Sequence, residues 1–170
     1  MNRRRLLIGT GASVFAAAYP SISMAEKAQT SFKLIWRGLD VGYSKIRLSK
    51  QGKTVVANID VQISVKILNF DAFSYKLTNE ETWDSGILIK LASETLVGKK
   101  KEFARGKRTT KGFKIEGSKF SGLIKGNPAT TSYFSPDFLR RKIWISTQDG
   151  DPLSVSTAKI GDDMAKSVSG

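Results

Sequence analysis

The stretch TVVANIDVQISVKIL, residues 54–68, alternates almost from end to end. Val55, Ala57, Ile59, Val61, Ile63, Val65 and Ile67 are apolar, and Asn58, Asp60, Gln62, Ser64 and Lys66 between them are polar. Successive side chains of a strand point to opposite faces, so a period of two held this long reads as a half-buried strand or two segments joined by a bend. Its length, about twice the usual, implies a curved sheet.

The same pattern extends outward. In SFKLIWRG, Phe32, Leu34 and Trp36 alternate with Lys33 and Arg37; GLDVG reads as a turn, and GYSKIRLSK returns with Ile46 and Leu48 on one face. FSYKLTNEETW puts Phe73, Tyr75 and Leu77 on one side, DSG turns, and ILIKLASETL follows. Turns about every ten residues, with no helical period between them, predict an all-β antiparallel meander. Because open edges invite aggregation, it must close into a barrel or roll into a covered half-barrel. Its interior, lined by Trp36, Ile59, Val61, Ile63, Phe73, Tyr75 and Trp83, is either solid core or a pocket for an apolar ligand.

The chain begins MNRRRLLIGTGASVFAAAYPSISMA. The apolar run from Leu6 to Ala18 spans 13 residues, short of the roughly 20 that cross a bilayer as a helix. Pro20 breaks a helix there, and Ser23 and Ala25 are the small residues a signal peptidase selects. Residues 1–25 are therefore read as a signal peptide cut after Ala25, with a cut after Ala18 as the alternative. NRRRLL resembles a twin-arginine export signal. The expectation is a soluble periplasmic protein with one β domain at 26–160 and a frayed tail at 161–170.

The sequence contains no cysteine and no histidine. A disulfide framework, a Ser-His-Asp or Cys-His nucleophile, a His or Cys zinc site and a cysteine-held iron–sulfur cluster are all excluded. No cofactor and no metal are expected. The acidic stretches are explained more simply than by catalysis or calcium. Glu80 and Glu81 of NEETWDSG fall on opposite faces of a strand. Glu81 shares the phase of Phe73, Tyr75, Leu77 and Trp83, and an inward carboxylate calls for a partner such as Arg37 or Arg47. TQDGDPL, with Asp149 and Asp151 around Gly150, reads as a hairpin turn.

The chain carries 28 basic and 15 acidic residues. The excess concentrates in KKKEFARGKRTTKGFKIEGSKFSGLIKG, residues 99–126, where ten basic residues face only Glu102 and Glu116. Phe103, Phe113, Phe120 and Leu123 give this segment an apolar side. Its cations, led by Lys99, Lys100, Lys101, Arg105, Lys107, Arg108 and Lys111, either guard edge strands or form a face for an anionic partner such as phospholipid headgroups or an acidic protein. Nucleic acid is not an expected partner of an exported chain. Arg140, Arg141 and Lys142, preceding another strand, add to the basic face.

FKLIWRGLDVGYSKIRL, ETWDSGILIKLASETLVGKK, TTSYF and STQDGD together resemble a proteobacterial family of exported β-rich proteins known only as a domain of unknown function. The markers are the Glu-x-Trp-x-x-Gly of Glu81, Trp83 and Gly86 and the Ser-x-Thr of Ser93 and Thr95; Phe134 stands where the family has tryptophan. The resemblance implies a periplasmic β domain and transfers no catalytic residue. Three functions follow as expectations: a non-enzymatic protein binding an apolar or amphipathic, lipid-like ligand; a solid-cored adaptor docking an acidic protein; or an envelope hydrolase using Glu81 and a second carboxylate.

Overall fold

The structure, a computed structural model, describes residues 26–67, 70–133, 136–160 and 163–169. The expected signal peptide lies outside these residues. Eight strands follow one another in strict meander order: β1 (Glu26–Trp36), β2 (Leu39–Gln51), β3 (Thr54–Ile67), β4 (Phe70–Asp84), β5 (Ile87–Val97), β6 (Lys100–Thr109), β7 (Gly112–Gly117) and β8 (Ser121–Ile124). Each pairs antiparallel with the next, and β1 does not pair with β8. Of the two expected closures, the molecule takes the open half-barrel.

The alternating stretch is β3, and every one of its residues 54–67 pairs with β4. At 15 residues, β4 is about 50 Å long. Bulges at Leu34/Ile35, Val65/Lys66 and Thr82/Trp83 interrupt the ladders, where they increase local twist and bend the sheet. The first turn is tighter than the glycine spacing suggested. Only Arg37 (φ 50°) and Gly38 (φ 80°) lie between β1 and β2, both in the left-handed region that a two-residue hairpin turn requires.

A second sheet of four strands follows, in the order β12 (Asp163–Ser169), β11 (Pro152–Ile160), β10 (Ile143–Ile145) and β9 (Ala129–Thr130). Here β9 runs parallel to β10, and the short 3₁₀ helix η1 (Pro136–Arg140) lies in the connection. The Asp-Gly stretch makes the turn from β10 into β11, with Ile145 opposite Pro152. Within the segment read as a tail, Asp163–Ser169 form β12 and pair with β11. Among the described residues no helix is long and apolar enough to cross a membrane.

The core lies between the inner face of β4–β8 and β10. It comprises Trp83, Leu88, Leu91, Ala104, Phe113, Ile115, Ile124 and Ile145, with Val55, Phe120 and Ile143 packed against it. The other face of β10 is held by an aromatic trio. Tyr133, Phe138 and Trp144 meet edge to face with centroids 5.2 to 5.4 Å apart, and the Trp144 indole N–H donates to the Phe138 carbonyl.

Gly117, at the end of β7, lets the turn at 146–151 reach the sheet. A Cβ there would fall on the Asp149 carbonyl oxygen, which accepts a hydrogen bond from the Lys119 amide at 3.0 Å. Backbone occupies that space, so no side-chain rotation can relieve the clash. Gly117→Val is expected to lower unfolding free energy by about 1 to 3 kcal/mol. Urea denaturation checks this, and an unchanged midpoint would show that the turn does not pack as described.

Candidate functional site

The inner face of the sheet changes character along its strands. Cross-strand register aligns Ile59, Asn79, Ser93 and Ala104 in one row, and Ala57, Glu81, Leu91 and Gly106 in the next. A third row contains Val61, Leu77, Thr95 and Glu102. Asn79, Glu81, Ser93, Thr95 and Glu102 are all buried. They form a polar seam across the middle of an otherwise apolar surface, and residues 129–151 supply partners for it.

Glu81 is the centre of the seam and is fully buried. It accepts hydrogen bonds from Asn79 Nδ2 at 2.7 Å, Trp83 Nε1 at 2.9 Å and Thr130 Oγ1 at 3.1 Å. The expected arginine partner is not there. Arg47 lies on the outer face and pairs with Asp60 at 2.6 Å, while Arg37 stacks over the Trp36 ring, 4.9 Å from its centroid. With neutral donors alone, burial pushes the Glu81 carboxyl above the usual range, and the bonds from Asn79, Trp83, Thr130 and Ser132 only partly oppose it.

The seam continues through β5 and β6. Ser93 Oγ donates to the Thr147 carbonyl. Thr147 in turn donates its amide to Thr131 Oγ1 at 3.0 Å, and the Thr131 amide donates to the Ile145 carbonyl. Gln148 donates to Glu102 at 2.5 Å. Lys100 lies 2.5 Å from the other Glu102 oxygen, and its ammonium holds that carboxyl below the usual range. Glu81 and Glu102 are thus pushed in opposite directions, a pattern that can mark an acid–base pair. Strand and residue spacing, however, puts their backbone positions about 16 Å apart, beyond the roughly 5 to 10 Å of a glycosidase pair. Among the described residues no group of three or more acidic side chains could hold a metal ion.

Toward the opposite ends of the long strands the seam gives way to an open apolar trough. Phe32, Leu34 and Trp36 alternate on β1, and Phe73 and Tyr75 on β4 continue the phase of Leu77. Phe32 is 52% exposed, Trp36 45% and Phe73 45%; Val61, Ile63 and Tyr75 are half-buried. The residues read as lining an interior therefore divide. Ile59 and Trp83 are core, with Trp83 also bonded to Glu81. Trp36, Val61, Ile63, Phe73 and Tyr75 belong to the trough.

The basic segment is divided between two faces and the turns. Lys101, Arg105 and Lys107 point outward from β6; Lys99 sits in the turn before it and Lys111 in the turn after it. Arg105 pairs with Glu94 at 2.7 Å and lies over the Phe103 ring. Register places Lys90, Lys107 and Lys114 side by side across β5, β6 and β7, and among the described residues only Lys90 of the three has an acidic partner, Glu80 at 3.1 Å. Lys100 and Arg108 point the other way. The single apolar side expected of this segment does not form. Phe113 is fully buried and Leu123 is 44% exposed, because Phe113 pairs with Arg108 on the inner face whereas Leu123 pairs with Lys114 and Phe103 with Glu94 on the outer one.

The chain belongs to the family described as a domain of unknown function (DUF6134), which matches residues 32–169. No curated protein and no solved structure matches it significantly. Three of the four stretches that carry the resemblance meet in the seam. Glu81 accepts from Trp83 and from Thr130 of TTSYF, Ser93 donates to Thr147 of STQDGD, and Gly86 accepts from Arg141. Their shared role in this structure is to fasten the C-terminal segment to the sheet.

Two substitutions test that role. Thr130→Val keeps shape and removes a donor to a buried carboxyl, so it should cost about 1 to 3 kcal/mol. Glu81→Gln reads the buried acid itself. The folded chain holds the Glu81 proton more tightly than the unfolded chain does, so this group's contribution is full below the ordinary glutamate value of 4.5 and is lost as pH rises through the raised value. Urea unfolding from pH 4 to 8 should show the variant gaining on wild type as pH rises; a pH-independent difference would contradict the seam's electrostatics.

Proposed function

We propose that this is an exported, periplasmic, non-enzymatic protein that binds an amphipathic, lipid-like ligand along the open trough. The observation that carries the reading is the exposure of large apolar side chains on the inner face: Phe32, Trp36 and Phe73 stand between 45 and 52% exposed. Leaving such groups in water costs roughly 1.5 to 3 kcal/mol each relative to burial, and a contiguous set of them marks a binding surface. In the covered half of the inner face Trp83, Leu91, Phe113 and Ile145 pack into the core.

The trough ends where cations stand. Arg37 stacks on Trp36 in the β1–β2 turn, and the Gly98–Lys99 turn is fixed against β4 through the Gly98 amide and the Ser74 carbonyl. An acyl or similarly apolar chain along Phe32, Leu34, Ile63 and Phe73, with an anionic head toward Arg37 and Lys99, satisfies both surfaces. On the outer face, Lys76, Lys101 and Arg105 surround Leu96 and Phe103. Cations interleaved with partly exposed apolar groups suit peripheral contact with anionic lipid headgroups.

Native mass spectrometry of the full chain purified from its own envelope is expected to show a bound lipid-sized species. Phe32→Asp combined with Phe73→Asp should abolish it, and the double variant should keep the wild-type circular dichroism. Displacement of a fluorescent fatty acid gives the affinity. A chain that carries no lipid and fails to bind the fatty acid would refute the reading, and a double variant that binds as well as wild type would refute the trough as its site.

A further inference from the structure

We propose that the chain carries a phosphate-binding groove at the end of the sheet opposite the trough, independent of the lipid reading. Of the seven residues that line it, Lys125, Arg140, Arg141 and Lys142 are cationic and none is acidic. The cations come from two separate elements, the end of β8 and the end of η1.

Arg108 stands behind the groove, bonded to Gly126 of its lining. Its Nε donates to the Leu88 carbonyl at 3.1 Å and its Nη1 to the Gly126 carbonyl at 2.6 Å. Arg141 reaches across from η1 and donates Nη2 to the Gly86 carbonyl at 2.9 Å. Backbone oxygens thus fix two guanidinium groups without neutralising either. The Nη2 of Arg108 is buried and has no acceptor among the described residues. Burial, and then the neighbouring charge of Arg141, hold the Arg108 guanidinium below its usual pKa, although an arginine stays charged at neutral pH.

Two like charges held together without a counter-ion destabilise the fold unless something else offsets them. A phosphate oxyanion fits the requirement. It carries up to two negative charges, and its oxygens match the planar donor fork of arginine better than a single carboxylate matches four cations. The outer-face lysines differ in kind, since Lys107 and Lys114 stand opposite each other on a pleated strand surface. Both a free phosphate compound and a phospholipid headgroup present the same oxygens.

The test uses the full mature chain at low ionic strength. Inorganic phosphate is titrated while the amide signals of Gly126 and Asn127 and the guanidinium signals of Arg108 and Arg141 are followed by NMR; in parallel, the chain is sedimented with phosphatidylcholine vesicles with and without phosphatidic acid. Saturable shifts with inorganic phosphate identify a soluble phosphate site. Vesicle binding that needs phosphatidic acid, without such shifts, identifies a headgroup site. In either case Arg141→Gln should weaken binding roughly tenfold or more, while Lys107→Gln leaves it near wild type. Arg141 is at the surface, and Lys142→Gln provides a second, milder variant should the first disturb folding. If neither probe binds in a manner that depends on Arg141 or Lys142, the groove is not a phosphate site.

Discussion

The structure depends on a carboxyl group buried without a cation. Glu81 draws Asn79 and Trp83 from its own strand and Thr130 from a segment 49 residues away. An open sheet needs a cover for its inner face, and the polar seam tells the covering segment where to land. Apolar surfaces pack in many registers, whereas a buried acceptor that lacks its donor costs about 1 to 3 kcal/mol. The bonds from Thr130 to Glu81, from Ser93 to Thr147 and from Gln148 to Glu102 therefore fix one position for residues 129–151.

Much of this was legible in the residues. The alternation of β3 and the phase of β4 determine the meander and the inward direction of Glu81, because a period of two leaves no choice of face. The neutral character of Glu81's partners was not legible. Asn79 is local, but Thr130 sits in an irregular stretch whose place in the fold follows from no periodic signal. Phase also misleads where a bulge intervenes. Ile87, Ile89 and Leu91 alternate as if to share a face, yet the register passes from Lys90 to Leu88 opposite Thr82 and Trp83, and Leu88 is buried with Leu91 while Ile87 and Ile89 are only half-buried. The basic segment fared similarly, since a reading by composition cannot divide lysines between two faces and three turns.

The division of charge gives the molecule distinct ends. Cations in the β1–β2 and β5–β6 turns border the trough, whereas those after β8 and after η1 border the groove around Arg141. Between them the outer face pairs much of its charge, as Arg47 does with Asp60, Lys90 with Glu80 and Arg105 with Glu94. Exposed pairs of this kind contribute little to stability. Their effect is to leave the uncompensated charge at the edges and ends, where it can steer an anionic partner.

The order of elements has a consequence for how the chain reaches this state. The eight-stranded meander is a succession of neighbouring hairpins, each closing a short loop soon after its residues emerge during synthesis. The strap at 129–151 comes afterward and must find contacts some 50 residues upstream. Until it does, Glu81, Ser93 and the surrounding leucines face water on a sheet that lacks its second layer. The exposed intermediate is thus written into the topology, and the speed with which the strap docks sets how long the nascent protein is open to aggregation.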